Sequence, residues 1–296
     1  MSLDEGRAVL GNLFGEFEFA DDGRSLAVSV AALVGMVGFR LMPRASLRPA
    51  FVITKNAEGS GASTLADCIV WPLLGSAPKL TLPEDDAETR KILLTVVRDA
   101  RAAIIFDNVK HVIGGASLEA FISSAVYEGR LLGANQSLAG PNYTTVICTA
   151  NGGRVSPDMR RRSLLVVLHL NVERAEDRQF KRPISGSVLA ELRPRVLAAV
   201  WALIRHWEGL GRPGPSRSHS AFPEWAHTVG GIVEHAGYRC PFETPRIVES
   251  VDADAEAMRS MVAAMEPGRR YTNRELMDLA RHEELFRDLS DAPTMK

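Results

Sequence analysis

The chain has 296 residues, nearly half of them apolar, and sets 35 basic residues against 36 acidic ones. Such a composition builds an ordinary core, as one large domain or two small ones, and excludes a global positive field, so any contact with nucleic acid must come from a local patch. Cys68, Cys148 and Cys240 lie far apart and read as reduced core thiols rather than a disulfide or zinc framework. The longest apolar run, SLAVSVAALVGMVGF, is broken by serines and glycines and follows acids; neither a signal peptide nor a membrane span is expected, and a cytoplasmic location follows.

Residues 1–50 read as a helical lead-in: a loop, FGEFEFADD, and then one amphipathic to buried helix that Pro43 stops. Residues 51–180 hold the core. There the apolar, β-branched runs FVIT, KLTL, AAIIF, TTVICTA and LLVVLHL alternate with helical patterns, which predicts an α/β domain with a five-stranded parallel sheet covered by helices. Residues 181–245 turn helical. Leu189, Leu192, Val196, Val200 and Leu203 recur at three- and four-residue spacing, and after a GRPGP break a second helix runs through Trp225 and Val229. GRPGPSRSHS is the linker-like stretch. Residues 246–296 form a small helical or winged-helix module with two or three helices. One of these opens at YTNRELMDLA, where Thr272 caps and Glu275 completes a capping box.

Chemistry concentrates in three places. In FVITKNAEGSGASTLADCIVW an apolar strand runs through a glycine-bearing turn into a helix, the shape of a loop whose amides surround a nucleotide phosphate. Glu58, Gly59, Ser60, Gly61, Ala62, Ser63 and Thr64 are its candidate lining, and Ser63 or Thr64 can reach a magnesium ion. The usual GxxxxGK[ST] pattern would place glycine at Asn56 and lysine at Ala62, so the ammonium that normally meets the β- and γ-phosphates is missing. An introduced lysine-to-alanine change, a lineage using another cation and a binder without hydrolysis all remain open. Lys55 is the lysine near the loop, either as substitute or as a solvated strand end.

The second place is AAIIFDNVK, where a buried strand ends in Asp107 and Asn108. A carboxylate there can hold magnesium beside the phosphate loop. Asn108 cannot accept a proton from the attacking water, though it can orient that water; a plain Asp–Asn turn is the alternative. The third is NYTTVICTANGGRVSPDMRRRSLLVVLHL. Asn151 at its strand tip can read a γ-phosphate, and one of Arg160, Arg161 and Arg162 can offer a fork to a neighbouring subunit's nucleotide, the alternative being a solvated basic loop. The histidines show no metal-ligand spacing. Trp201, Trp207 and Trp225 fall at helical spacing among aliphatics and are expected in the core. The mixed charges of GRRYTNRELMDLARHEELFRD read as a solvated face.

The order of these pieces resembles an AAA+ ATPase, and more narrowly the helicase-like ATPase domain of phage, plasmid and integrative-element primase–helicase proteins. FGEFEFADD, YEGRLLG with Arg130, TANGGRVSPDMRRRSLLVVLHL, and ERAEDRQF with Arg178 carry the closer likeness, over about residues 15–240. The resemblance implies an AAA+ type P-loop sheet with an α-helical lid, and ATP with Mg2+ in a site shared between subunits. It further implies a homo-oligomeric ring, a hexamer, and DNA as partner in replication of a mobile element. By the same resemblance Gly59, Gly61, Ser63 and Thr64 line the phosphates, Ser63 and Asp107 serve the metal, Asn151 senses the γ-phosphate, and one of Arg160 to Arg162 is the finger. A nucleotide-sensing or structural subunit with the ATPase fold is the second reading, a small-molecule kinase the third.

Overall fold

The computed structural model describes residues 1–55, 60–76, 78–130, 137–151, 154–169, 184–243, 261–265 and 269–282. Five strands, β1 (Ala50–Lys55), β2 (Lys79–Leu80), β3 (Ala103–Val109), β6 (Thr145–Asn151) and β7 (Ser163–Leu168), build one sheet in the order β2-β3-β6-β1-β7. Every pairing in it is parallel. Continuous burial along the inner strands, from Ala50 to Thr54 in β1 for example, explains why they read as unbroken apolar runs: a parallel sheet is covered on both faces. A separate antiparallel hairpin, β4 (Val126–Arg130) with β5 (Ser137–Pro141), was not expected. Its polar residues and glycines hide any apolar alternation.

The lead-in departs from expectation. Before the buried helix α2 (Arg24–Val37) stands a further helix, α1 (Leu3–Phe14), opened by a capping box in which Ser2 and Glu5 satisfy each other's backbone donors. Between them, residues 17–20 lie antiparallel against the outer edge of β7: Ala20 N donates to Val167 O at 2.9 Å and His169 N to Glu18 O at 2.9 Å. Buried Arg24 fastens this corner by donating from Nε to the Glu243 carbonyl at 2.8 Å and from Nη1 to that of Leu165.

The crossover helices are α3 (Ala62–Leu74), α4 (Asp86–Arg98), α5 (Ala116–Ile122) and α6 (Pro157–Arg161). After β7 come α7 (Gly186–Gly209), α8 (Pro223–Trp225), a π turn (Ala226–Gly230) and α9 (Gly231–His235). α7 packs along both α1 and α3. Its Arg193 donates to the Pro72 and Leu73 carbonyls at 2.9 and 3.1 Å, satisfying the last turn of α3. The stretch expected as a linker is a pinned segment instead: Trp207 Nε1 donates to Pro213 O at 2.8 Å, and Ser216 N to Glu234 Oε2 at 2.8 Å. Trp207 and Trp225 are core residues as expected, but Trp201 is 48% exposed on the outer face of α7. Cys68, Cys148 and Cys240 are free and buried.

Residues Met1–Arg246 form one compact unit and Ile247–Lys296 a second. In the latter, α10 (Asn273–His282) starts with the expected box: Glu275 N donates to Thr272 Oγ1 at 3.3 Å and Thr272 N to Glu275 Oε2 at 2.8 Å. No helix among the described residues is long and apolar enough to cross a membrane.

Candidate nucleotide site

At the carboxyl ends of β1 and β3, two segments far apart in sequence meet. Gly61, with φ of 88°, takes the left-handed conformation that only glycine adopts at little cost and turns the chain into α3. Two residues later Ser63 Oγ donates to Asp107 Oδ1 at 2.6 Å. Thr149 Oγ1, from β6, donates to the same oxygen at 2.7 Å. Both predicted metal-site residues are therefore joined directly, and Ser63 rather than Thr64 makes the contact.

Asp107 is aimed there by a bulge. Phe106 pairs with Cys148 and Val109 with Ala150, so Asp107 and Asn108 together face Thr149 alone. The extra residue shows in the left-handed φ of 54° at Asn108, whose backbone N–H donates to Thr149 Oγ1 at 2.8 Å. The Asn108 side chain stays exposed, as does Asn151 at the tip of β6. Asn151 stands level with Lys55 at the tip of β1. Ala62, at the position where a phosphate loop carries lysine, is only 2% exposed. Asn56, Glu58, Gly59 and Arg178 lie outside the described residues, and Ser60 is buried at the foot of the turn.

The arginine trio is not brought to this site. Ala50 N donates to Arg162 O at 3.0 Å, which sets the trio beside the amino ends of the strands, away from Asp107. Arg161 and Arg162 both pair with Asp158; their hydrogen bonds hold its carboxyl down at about 2. Arg162 also donates from Nε to Ser123 Oγ at 2.6 Å. Arg160 is exposed, and its side chain has no partner among the described residues.

Two residues that the sequence reading passed over lie beside the Ser63–Asp107 contact. Asp67, one turn after Ser63 on α3, accepts from Lys79 Nζ at 3.0 Å. Burial raises the Asp67 carboxyl above the usual range; Lys79 opposes that rise, and the nearby negative charge of Asp107 adds to it. No local motif marks Lys79, because its place comes from the pairing of β2 with β3.

A hydroxyl and a carboxylate oxygen converging at the start of a helix suit a hard cation such as magnesium, which takes few protein ligands and completes its shell with phosphate and water oxygens. Ser63 and Asp107 would hold it. Among the described residues no group of three or more His, Cys, Asp or Glu side chains offers an all-protein metal site.

No family model matches the chain, and no curated protein matches it either. Among solved structures, it is similar to the apo C-terminal region of NrS-1, at 14% identity over 88% of this chain and 55% of that one, with a TM-score of 0.41. JCV helicase gives 14% identity, 88% and 70% coverage and a TM-score of 0.32. SCCmec type IV Cch, described as an active helicase, gives 13%, 86% and 51%, and 0.32. The chain spans about half the length of the NrS-1 and Cch chains. Helicases are thus among the structures it is similar to, loosely at these TM-scores; the functional reading rests on the geometry of residues 61–64, 107–108, 149 and 151.

Proposed function

We propose that this chain is the nucleotide-binding domain of an oligomeric, helicase-like ATPase of the AAA+ type, which takes up ATP with magnesium and acts on DNA in replication of a mobile element. The observation that supports it most is the 2.6 Å contact between Ser63 and Asp107 at the carboxyl ends of β1 and β3, the place where open parallel sheets bind ligands. Magnesium in such a site neutralises charge developing on the phosphate oxygens during transfer to water. Ser63 and Asp107 would orient it, the α3 amino terminus would hold the phosphates, and Asn151 and Asn108 would position water. Arg160 is the proposed finger, since it alone of the three arginines has a side chain without a described partner, and its place at the other end of the sheet suits a neighbouring subunit's nucleotide. A hexameric ring and a cytoplasmic location complete the proposal.

The test is calorimetry with ATP and magnesium, followed by phosphate release with and without DNA. Saturable uptake that Ser63→Ala abolishes, with DNA-stimulated release, is the expected result; no uptake at millimolar ATP rejects the reading. The buried Ala62 and the absence of an acid at Asn108 favour a second reading, a nucleotide-sensing subunit without turnover. Saturable uptake with no phosphate release, with or without DNA, would select it.

A further inference from the structure

The missing lysine leaves the phosphates short of one cation, and the fold sets another beside the same metal seat. Lys79 opens β2 and is paired in register with Ile105, two residues before Asp107. Neighbouring strands lie about 4.8 Å apart and residues rise about 3.3 Å each, so the Lys79 and Asp107 backbones are about 8 Å apart. Side chains at alternate positions share a face of the sheet, and that face is the one covered by α3: Lys79 reaches Asp67 and Asp107 reaches Ser63, both on that helix.

The Lys79–Asp67 pair is partly open, with side chains 37% and 26% exposed. Ion pairs open to solvent contribute little net stability, so little is lost when the partners separate. A phosphate oxygen accepts the same kind of charge-assisted bond from the ammonium as a carboxylate does, and a triphosphate brings several such oxygens. An open cleft lined by Asp67, Trp71, Lys79, Ser185 and Leu189 borders the pair, so the flexible four-carbon arm is not walled in where it rests. Lys79 is also fixed to the sheet through β3, so it does not depend on how residues 56–59 are arranged.

We propose that Lys79 is the phosphate-binding cation of this site, parked on Asp67 without nucleotide and transferred to the terminal phosphate of ATP–magnesium when it binds. The proposal rests on the nucleotide-site reading above and adds the residue that replaces the loop lysine.

The experiment is calorimetric titration of the full chain with ATP and with ADP, each with magnesium, for the wild type, Lys79→Ala, Lys79→Met, Lys79→Arg and Lys55→Ala, with thermal melts to confirm folding. Loss of one charged hydrogen bond corresponds to about tenfold or more in affinity. The expected result is that loss for ATP in Lys79→Ala and Lys79→Met, a smaller loss for ADP, and retention in Lys79→Arg. Wild-type affinity for ATP in both neutral variants overturns the assignment while leaving the site intact. A loss confined to Lys55→Ala overturns it in favour of Lys55. Absence of uptake by the wild type rejects the nucleotide site itself and this assignment with it.

Discussion

Thr149 holds two groups at once, the Asp107 carboxylate and the Asn108 backbone N–H, through one buried hydroxyl. Replacing it with valine keeps the volume and strips the bulge of that partner. Leaving such groups unsatisfied costs about 1–3 kcal/mol. Thr149→Val is therefore expected to lower the unfolding free energy from denaturant titration by that amount and to weaken magnesium-dependent nucleotide binding. Unchanged values in both would show that the bulge holds Asp107 in place without it. The Ser63–Asp107 encounter was legible in the residues, because a hydroxyl at a helix start and an acid at a strand tip each carry a local pattern. Thr149 and Lys79 were not. Their roles come from register between strands, and nothing in TTVICTA or KLTL records which residue of the next strand stands opposite.

At the scale of elements, the parallel strands were readable because burial on both faces leaves runs of apolar residues. The capping box of α1 was equally present as Ser2 and Glu5, and Val9, Leu10, Leu13 and Phe14 repeat at helical spacing; the helix went unread because it is short and stands ahead of an acidic loop. GRPGPSRSHS misled for a different reason. Glycine and proline mark irregular backbone, and irregular backbone can be tightly held. A Cβ on Gly231 would sit 2.4 Å from the Pro213 carbonyl and 2.8 Å from Trp207 Nε1, so this close approach admits only glycine. Gly231→Ala is expected to destabilise by about 1–3 kcal/mol through overpacking. Gly11→Ala on α1, whose Cβ would meet nothing within 4 Å, should instead stabilise by about 0.5–1 kcal/mol. Denaturant titration of the two variants separates a packed segment from a slack one: equal, small effects would mean the 211–220 stretch is loosely held.

For the molecule as a whole, stability should depend on pH through His219. Its ring lies against Phe222 and Phe242, with centroids 5.0 and 6.1 Å away, and its Nδ1 is buried without a described partner. Burial lowers its pKa. The unfolded chain thus takes up this proton more readily than the folded one, so stability is held above about pH 6.5 and falls as the pH drops below it. Thermal melts across that range should show the decline, and His219→Phe should flatten it; an equal slope in the variant would assign the effect elsewhere. Assembly allows a second test. If Arg160 serves a neighbour, Arg160→Ala and Ser63→Ala chains, each inactive alone, should recover part of the phosphate release when mixed, because some interfaces then combine an intact site with an intact arginine. No recovery on mixing would count against an arginine supplied between subunits.

The strip of residues 17–20 along β7 has one more effect. Exposed strand borders invite foreign chains to add on, yet here one flank is already occupied by the protein's own backbone, and β2 at the other flank is just two residues long. Among the described residues the central sheet therefore offers a second copy no long bare edge on which to extend it. Association that spares this sheet falls to helix faces, the β4–β5 hairpin and surface side chains, contacts that can loosen and re-form without tearing the central scaffold.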